Sequence, residues 1–288
     1  MNLCDIKTIK NIMQAYGLQA KKEYGQNFLT DNAVVWGIAD ECCCGQSRAI
    51  LEIGPGLGVL TKELAERYEN VIALEIDEKL LPVLNYTLNE YNNVSVINTD
   101  VMKTDLVSLL SPEFEKGGVS VCANLPYYIT SPILMLLLES GLPFDYITVM
   151  VQKEVAERLC ARPGGRDCGA ITLAVAYRGE AELIMTVPAD RFLPAPKVDS
   201  AVVRIRMYRD KPFTPKNEDF MFSLIRAAFA QRRKTLINAL SAAFPNTDKS
   251  VFLSALDALS LRPDIRGEKL GIEDFVRLSD ILLDKIEK

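Results

Sequence analysis

Leu51-Glu52-Ile53-Gly54-Pro55-Gly56-Leu57-Gly58 is an apolar strand running straight into a glycine turn, and residues 59–68 behind it have helical periodicity. Glycines in such a turn let the backbone bend sharply and lie close to a ligand with no Cβ in the way. A dinucleotide fingerprint would need a third small residue at position 59, where this chain has Val59. The spacing is G-x-G-x-G with its first member at the strand end. That suits a ligand packed on backbone, without a pyrophosphate on the helix N-terminus. Taken alone, the same turn can also be purely structural.

Outward from this stretch, residues 49–53, 71–75, 94–98, 119–123 and 147–152 read as short buried strands, with helical stretches such as 59–68 and 79–91 between them. Strand–helix alternation predicts right-handed βαβ units and a parallel sheet covered on both faces. Residues 181–187 and 201–207 have no long helix clearly between them, which predicts an antiparallel edge pair. At 207–217 (MYRDKPFTPKN) charge, two prolines and an asparagine interrupt the strands. Beyond it, 220–240, 249–259 and 272–285 have helical periodicity, with turn signals at Pro245-Asn246 and Pro263-Asp264. The expected fold is α/β, a Rossmann-like sheet domain over 1–208 with a small all-α domain over 209–288.

Two acids stand at strand ends. Glu75 closes the second strand, where a carboxylate can accept both ribose hydroxyls of an adenosine. Asp100 follows the third strand, where one can accept an exocyclic adenine amine. Each alone also reads as a solvated strand-end acid. Together with Gly54, Gly56 and Gly58 they line the carboxyl edge at which open α/β sheets bind ligands. Over about residues 25–207 this pattern resembles the class I methyltransferase fold, which implies S-adenosyl-L-methionine as cofactor and S-adenosyl-L-homocysteine as product.

The fourth strand ends in Asn124-Leu125-Pro126-Tyr127. This resembles the [DNS]-P-P-[YFW] motif of methyltransferases acting on exocyclic amines. An adenine N6 is a poor nucleophile because its lone pair is delocalised into the ring. Hydrogen bonds accepted from N6–H by the Asn124 side-chain oxygen and the Leu125 carbonyl would favour localising that pair. Pro126 holds φ near −65° and so pins the carbonyl direction. Tyr127 offers a ring face for stacking, worth on the order of 1–3 kcal/mol. No catalytic base is required, and proximity alone can supply about 7–11 kcal/mol of barrier reduction. The plain alternative is an Asn-Pro turn beside a core tyrosine.

Two further segments, Lys22-Glu23-Tyr24-Gly25-Gln26-Asn27-Phe28-Leu29 and Phe192-Leu193-Pro194-Ala195-Pro196-Lys197-Val198-Asp199-Ser200, resemble signatures of the KsgA/Dim family of ribosomal RNA adenine dimethyltransferases. The resemblance spans essentially the whole chain. It implies Asn27 and Leu29 as cofactor contacts and Phe192 as a ring packing on the target base. From the residues alone, Asn27 reads as part of a helix N-cap region and Phe192 as core. The resemblance further implies a monomeric, cytoplasmic enzyme that dimethylates two adjacent adenines in the 3′-terminal hairpin of 16S RNA in the small ribosomal subunit. Tyr24, Cys42, Cys43, Cys44 and the loop Pro163-Gly164-Gly165-Arg166 look idiosyncratic. An Erm-type enzyme acting on large-subunit RNA is the runner-up. A non-catalytic assembly factor on the same fold is the reading from another class.

Composition agrees with these readings and excludes others. The chain has 288 residues and no histidine, so Ser-His-Asp and Cys-His hydrolysis is excluded. Seven cysteines without a CxxC pair give no zinc pattern, and ordinary thiols in a reducing cytosol are expected. No metal is expected. The N-terminal 20 residues carry no apolar export segment, and the longest apolar run, 133–138, is far short of the roughly 20 residues that span a bilayer. The net charge of −5 is uneven: residues 1–200 carry 17 Lys/Arg against 26 Asp/Glu, residues 201–288 carry 16 against 12. Arg226, Arg232, Arg233 and Lys234 cluster on one predicted helix of the basic part and are candidate RNA contacts, with a merely solvated helix face as the alternative. Arg158, Arg162 and Arg166 are weaker phosphate candidates on a solvated loop.

Overall fold

A computed structural model of the protein describes residues 1–19, 25–43, 45–231 and 233–286. In chain order the elements begin with α1 (Ile6–Ala15), β1 (Phe28–Leu29), α2 (Asn32–Cys42), β2 (Ser47–Ile53), α3 (Val59–Ala65) and β3 (Asn70–Glu75). Then come α4 (Leu81–Thr87), β4 (Val94–Asn98), α5 (Leu106–Lys116), β5 (Gly118–Asn124), α6 (Thr130–Glu139), β6 (Tyr146–Gln152), α7 (Lys153–Leu159) and α8 (Ala170–Arg178). The last are β7 (Gly179–Val187), β8 (Phe192–Leu193), β9 (Ser200–Met207), α9 (Glu218–Ala230), α10 (Leu236–Ala243), α11 (Lys249–Ala258) and α12 (Ile272–Ile286).

Seven strands form one sheet in the order β4-β3-β2-β5-β6-β9-β7. The pairs from β4 through β6 are parallel, and β9 runs antiparallel to β6. The inner strands read as unbroken apolar runs because helices cover both faces. Val35, Ile38 and Cys42 of α2 and Leu60 and Leu64 of α3 pack with Ile50, Cys122 and Met150 from the sheet. The strand order, not the strand direction, reverses between β2 and β5: β3 and β4 lie to one side and β6 to the other, which makes this the switch point where open sheets bind ligands. The amphipathic helix α1, not foreseen, buries Ile9 and Ile12 with Leu57, Leu80, Leu84 and Leu88.

Two compact units make up the chain: Met1–Ala156 with Ala181–Met207, and Glu157–Glu180 with Tyr208–Lys288. The expected boundary lies between residues 208 and 209, and this division differs from it in placing Glu157–Glu180 with the helical unit. Glu157–Glu180 joins the helical unit because α8 offers that unit its apolar face. There Tyr177 meets Phe222 edge-on at 5.5 Å, and the Arg178 guanidinium lies 4.3 Å from the Phe222 ring centre. Arg178, almost fully buried, pairs with Glu218 at 2.7 Å. Lys211 and Arg178 beside Glu218 hold that carboxyl below the ordinary glutamate value although burial opposes them.

Three expected helices are shorter than their periodicity suggests. The one over 59–68 ends at Ala65. Residues 79–91 divide into a 3₁₀ turn, Glu78–Leu80, and α4, whose first turn carries Pro82. The expected helix over 220–240 breaks into α9 and α10. Gln231 leaves helical geometry, and Thr235 starts the next helix by accepting a bond from Asn238 N.

Candidate active site

Parallel register builds the site. Ile53 pairs with Leu74 on one side and with Ala123 on the other. One residue further along, Gly54, Glu75 and Asn124 emerge side by side at the carboxyl ends of three adjacent strands. Gly54, Gly56 and Gly58 have φ of 74°, 60° and 84°, a left-handed run that side chains other than glycine rarely tolerate. Folded this way, the turn directs Gly56 N at Glu75 Oε2 over 3.2 Å, while Asp77 N donates to Oε1 at 2.8 Å. Glu75 is thus held by backbone on two sides and keeps lone pairs for a ligand. Burial raises its carboxyl above the ordinary value, against those two bonds.

The segment around Asn27 closes over this crevice. β1 pairs with β8, setting Phe28 opposite Leu193 and Leu29 opposite Phe192. Gly25, at φ 58°, lies so close to the tetrapeptide that a Cβ there would stand 3.1 Å from Pro126 Cβ. Asn124 Nδ2 donates to Asn27 O at 3.4 Å, and Asn27 Nδ2 donates to Gly25 O at 3.0 Å. Gln26 Nε2 donates to Asp77 Oδ2 at 3.1 Å.

Asn124 and Pro126 are half-buried, Leu125 is buried, and Tyr128 beyond them is exposed. Leu125 N donates to Met150 O at 3.1 Å, anchoring the turn to β6. Pro126 O accepts from Ile129 N at 3.1 Å and from Thr130 Oγ1 at 3.0 Å, so the turn is closed from behind. Tyr127 Oη and Ser200 Oγ are 2.7 Å apart, and burial raises the phenol pKa. The turn is rigid, with the Tyr127 ring held by its hydroxyl.

One cavity is lined by Asn27, Leu29, Gly54, Gly56, Glu75, Asn124 and Pro126 of the expected set. Gly58, Asp100, Leu125, Tyr127 and Phe192 are not in its wall. A Cβ on Gly58 would stand 3.0 Å from Thr87 Oγ1, so this glycine serves the packing of α3 on α4. Asp100 caps a short turn by accepting from Met102 N at 3.0 Å and lies 3.8 Å from Lys103 Nζ. Phe192 is 5% exposed and packs in the core cluster, as the bare residue pattern suggested.

In the helical unit, Arg226 is exposed on α9, whereas Arg233 and Lys234 are exposed in the turn before α10. They do not share one helix, because that helix breaks after Ala230. Arg232, Cys44 and Lys22-Glu23-Tyr24 lie outside the described residues.

Glu52, Gln26 and Ile76, to which sequence reasoning assigned no role, also line the cavity. Ile76 is 46% exposed beside Glu75, an apolar side chain at the mouth. Glu52 had a visible signal, a lone acid inside the apolar run Ala49-Ile50-Leu51-Glu52-Ile53. Among the described residues no group of three or more His, Cys, Asp or Glu is placed to hold a metal ion, and no helix is long and apolar enough to cross a membrane.

The family model described as ribosomal RNA adenine dimethylase matches residues 17–284. The chain belongs to the ribosomal RNA adenine dimethylase family. It is 48% identical over 279 residues, 95% of each chain, to ribosomal RNA small subunit methyltransferase A of Bacillus mycoides (strain KBAB4), and equally to its counterpart in Bacillus cereus (strain AH187). Two solved structures are similar. A dimethyladenosine transferase from Plasmodium falciparum matches with TM-score 0.71 and 28% identity, over 87% of this chain and 95% of its own. The 23S rRNA methyltransferase ErmE matches with TM-score 0.66 and 27% identity, over 89% and 99%. The ribosomal RNA adenine dimethylase family transfers methyl groups, and the mostly parallel sheet with its glycine turn is the class I methyltransferase arrangement.

Proposed function

We propose that this chain uses S-adenosyl-L-methionine to dimethylate the N6 amines of two adjacent adenines near the 3′ end of small-subunit (16S) RNA, as a monomeric cytoplasmic enzyme of ribosome assembly. The observation that carries the reading is the register that sets Asn124 beside Gly54 and Glu75.

The cleft fits the cofactor. A left-handed glycine turn leaves open backbone, and Glu75, braced by Gly56 N and Asp77 N, retains acceptors for two ribose hydroxyls. Asn27 and Leu29 bound the same space. Asp100, two residues beyond β4, accepts the adenine amine from outside the cavity wall. When bound, the cofactor supplies an electrophilic methyl group on sulfur.

The chain's own residues then act on the base. Asn124 Oδ1 and the Leu125 carbonyl accept the N6 protons and favour a localised lone pair. The bonds closing the turn behind Pro126 keep those acceptors fixed, so little reorganisation accompanies reaction. Tyr127 stacks on the base, and its link to Ser200 holds the ring upright. Phe192 works from behind the wall by pairing with Leu29. Arg226, Arg232, Arg233 and Lys234 of the helical unit dock phosphates of structured RNA.

The names of the 48%-identical relatives favour the small subunit over the Erm-type alternative. Labelled methyl transfer onto unmethylated small subunits, compared with unmethylated large subunits, tests the choice. Label is expected in the small-subunit RNA, in adenine, and label confined to the large subunit would reverse the assignment.

A further inference from the structure

Tyr127 and Tyr128 are the two central residues of one tight turn, and the fold treats them oppositely. Ile129 N donates to Pro126 O at 3.1 Å, closing the turn, and Thr130 Oγ1 reaches the same carbonyl at 3.0 Å. Tyr127 is half-buried and tied to Ser200. Tyr128 is 60% exposed, the most exposed of the large apolar side chains among the described residues. A lone aromatic on a surface is ordinary, but this one has a particular place. A Cβ on Gly25 would stand 3.1 Å from Pro126 Cβ and 3.8 Å from Tyr128 Cδ1. Gly25 and Pro126 line the same cavity as Asn124, and Tyr128 does not. Its ring therefore stands at the outer rim of the cleft, beside the acceptors for the adenine amine. The turn fixes its backbone, so little freedom is lost when a flat ligand lies on the ring.

We propose that Tyr128 is a second stacking platform, which takes the RNA base next to the adenine being methylated. The inference rests on the functional reading above. Drawing one adenine out of its stack breaks its contact with the base beside it and bares that base's face to water. An aromatic ring at the mouth restores stacking to the bared base and makes no demand on its hydrogen-bonding edge. In that reading the substrate has two adjacent adenines, so on one side the neighbour of each target is the other. Tyr127 then holds the reacting base and Tyr128 the waiting one. Adjacent residues of one rigid turn grip adjacent nucleotides of one strand. Tyr128 takes no part in the chemistry at N6, so its loss falls on RNA affinity.

Single-turnover methylation of unmethylated small subunits by the full chain, with subunit concentration varied, separates affinity from rate. Tyr128→Ala is expected to raise the half-saturating concentration about tenfold, the effect of losing one base–aromatic stack. The saturated rate and the Kd for S-adenosyl-L-homocysteine should stay within about twofold of wild type, as for a lost binding contact. Tyr128→Phe and Tyr128→Trp keep a ring face and should behave like wild type. Subunits with one or the other of the two adenines replaced by uracil, a poorer stacking base, test the partner. For at least one replacement, the wild-type chain should need more subunit to methylate the remaining adenine, and Tyr128→Ala should need no more than it already does. Equal effects on both chains for both replacements would assign the ring to phosphate or to a ribosomal protein and overturn the proposal. Unchanged affinity in Tyr128→Ala, or a Tyr128→Phe as weak as Tyr128→Ala, would overturn it as well. Loss of S-adenosyl-L-homocysteine binding in Tyr128→Ala would make the ring a support of the turn and would likewise end the stacking role. A wild-type chain that left small-subunit adenines unmodified would instead sink the functional reading, and this role with it.

Discussion

Tyr127 Oη and Ser200 Oγ stand 2.7 Å apart, tying the last residue of the Asn-Leu-Pro-Tyr turn to the first residue of β9. Ser200 is otherwise wholly buried, so the bond satisfies one group and positions the other. Tyr127→Phe and Ser200→Ala should each slow methyl transfer about fivefold, the worth of one hydrogen bond near 1 kcal/mol. The double variant should be no slower than either single one, because both remove the same link. Tyr127→Ala should be worse than either, since it also removes the stacking face. Additive losses in single-turnover rates would show that the hydroxyls act separately.

Glu75 and Asp100 should differ in their hold on the cofactor. Glu75 is in the cavity wall and braced by two backbone donors, whereas Asp100 is outside it and partly occupied with Met102 N. S-adenosyl-L-homocysteine at 100 times its Kd should add about 2.7 kcal/mol to wild-type stability. Glu75→Ala should remove most of the accompanying rise in Tm, and Asp100→Ala a smaller part. The reverse order, read by thermal melting, would mean that adenine recognition dominates over the ribose.

Burial of Glu52 predicts a pH dependence in the empty protein. It pushes the folded pKa of this carboxyl up to about 8, above the ordinary 4.5. An acid raised in this way contributes its stability in full below about pH 4.5 and loses it as pH climbs through 8. Wild-type Tm should therefore fall relative to that of Glu52→Gln between pH 5 and pH 8. Parallel melting curves over that range would contradict a buried neutral acid.

Exposed charge in the helical unit carries a separate prediction. Reversing Arg233 and Lys234 to Glu, with Arg232 alongside, should weaken binding to the small subunit and flatten its salt dependence. Affinity for S-adenosyl-L-homocysteine should stay within about twofold of wild type, because these residues belong to the other unit. An unchanged salt slope in filter binding would move the phosphate contacts elsewhere, for example to Arg158, Arg162 and Arg166.

Most of the sheet was legible because its signals are local. The strand 94–98 matched residue for residue, and the glycine turn announced the left-handed run that only its residue types permit. What the sequence left open is depth, with a core reading and a base-packing reading standing side by side for Phe192. Phe192 and Tyr127 are both aromatics in family-like motifs, yet one is sealed in the core and the other is tied at the edge by Ser200. The helix expected over 220–240 failed for a related reason: periodicity persists through 231–235, while the capping bond at Thr235 decides where the chain turns. The assignment of Glu157–Glu180 to the helical unit depends on Tyr177 and Arg178 meeting Phe222 and Glu218, about 40 residues away in sequence.

The claim that Asn124 activates the adenine amine is tested most directly by single-turnover methylation of unmethylated small subunits by Asn124→Ala, with mass spectrometry of the nuclease-digested RNA. The hydrogen bond it removes strengthens as the amine becomes tetrahedral, so its loss falls on the transition state. The predicted result is a rate lower by on the order of 100-fold, N6,N6-dimethyladenine nearly absent, and an almost unchanged Kd for S-adenosyl-L-homocysteine. Dimethyladenine formed at the wild-type rate would contradict it.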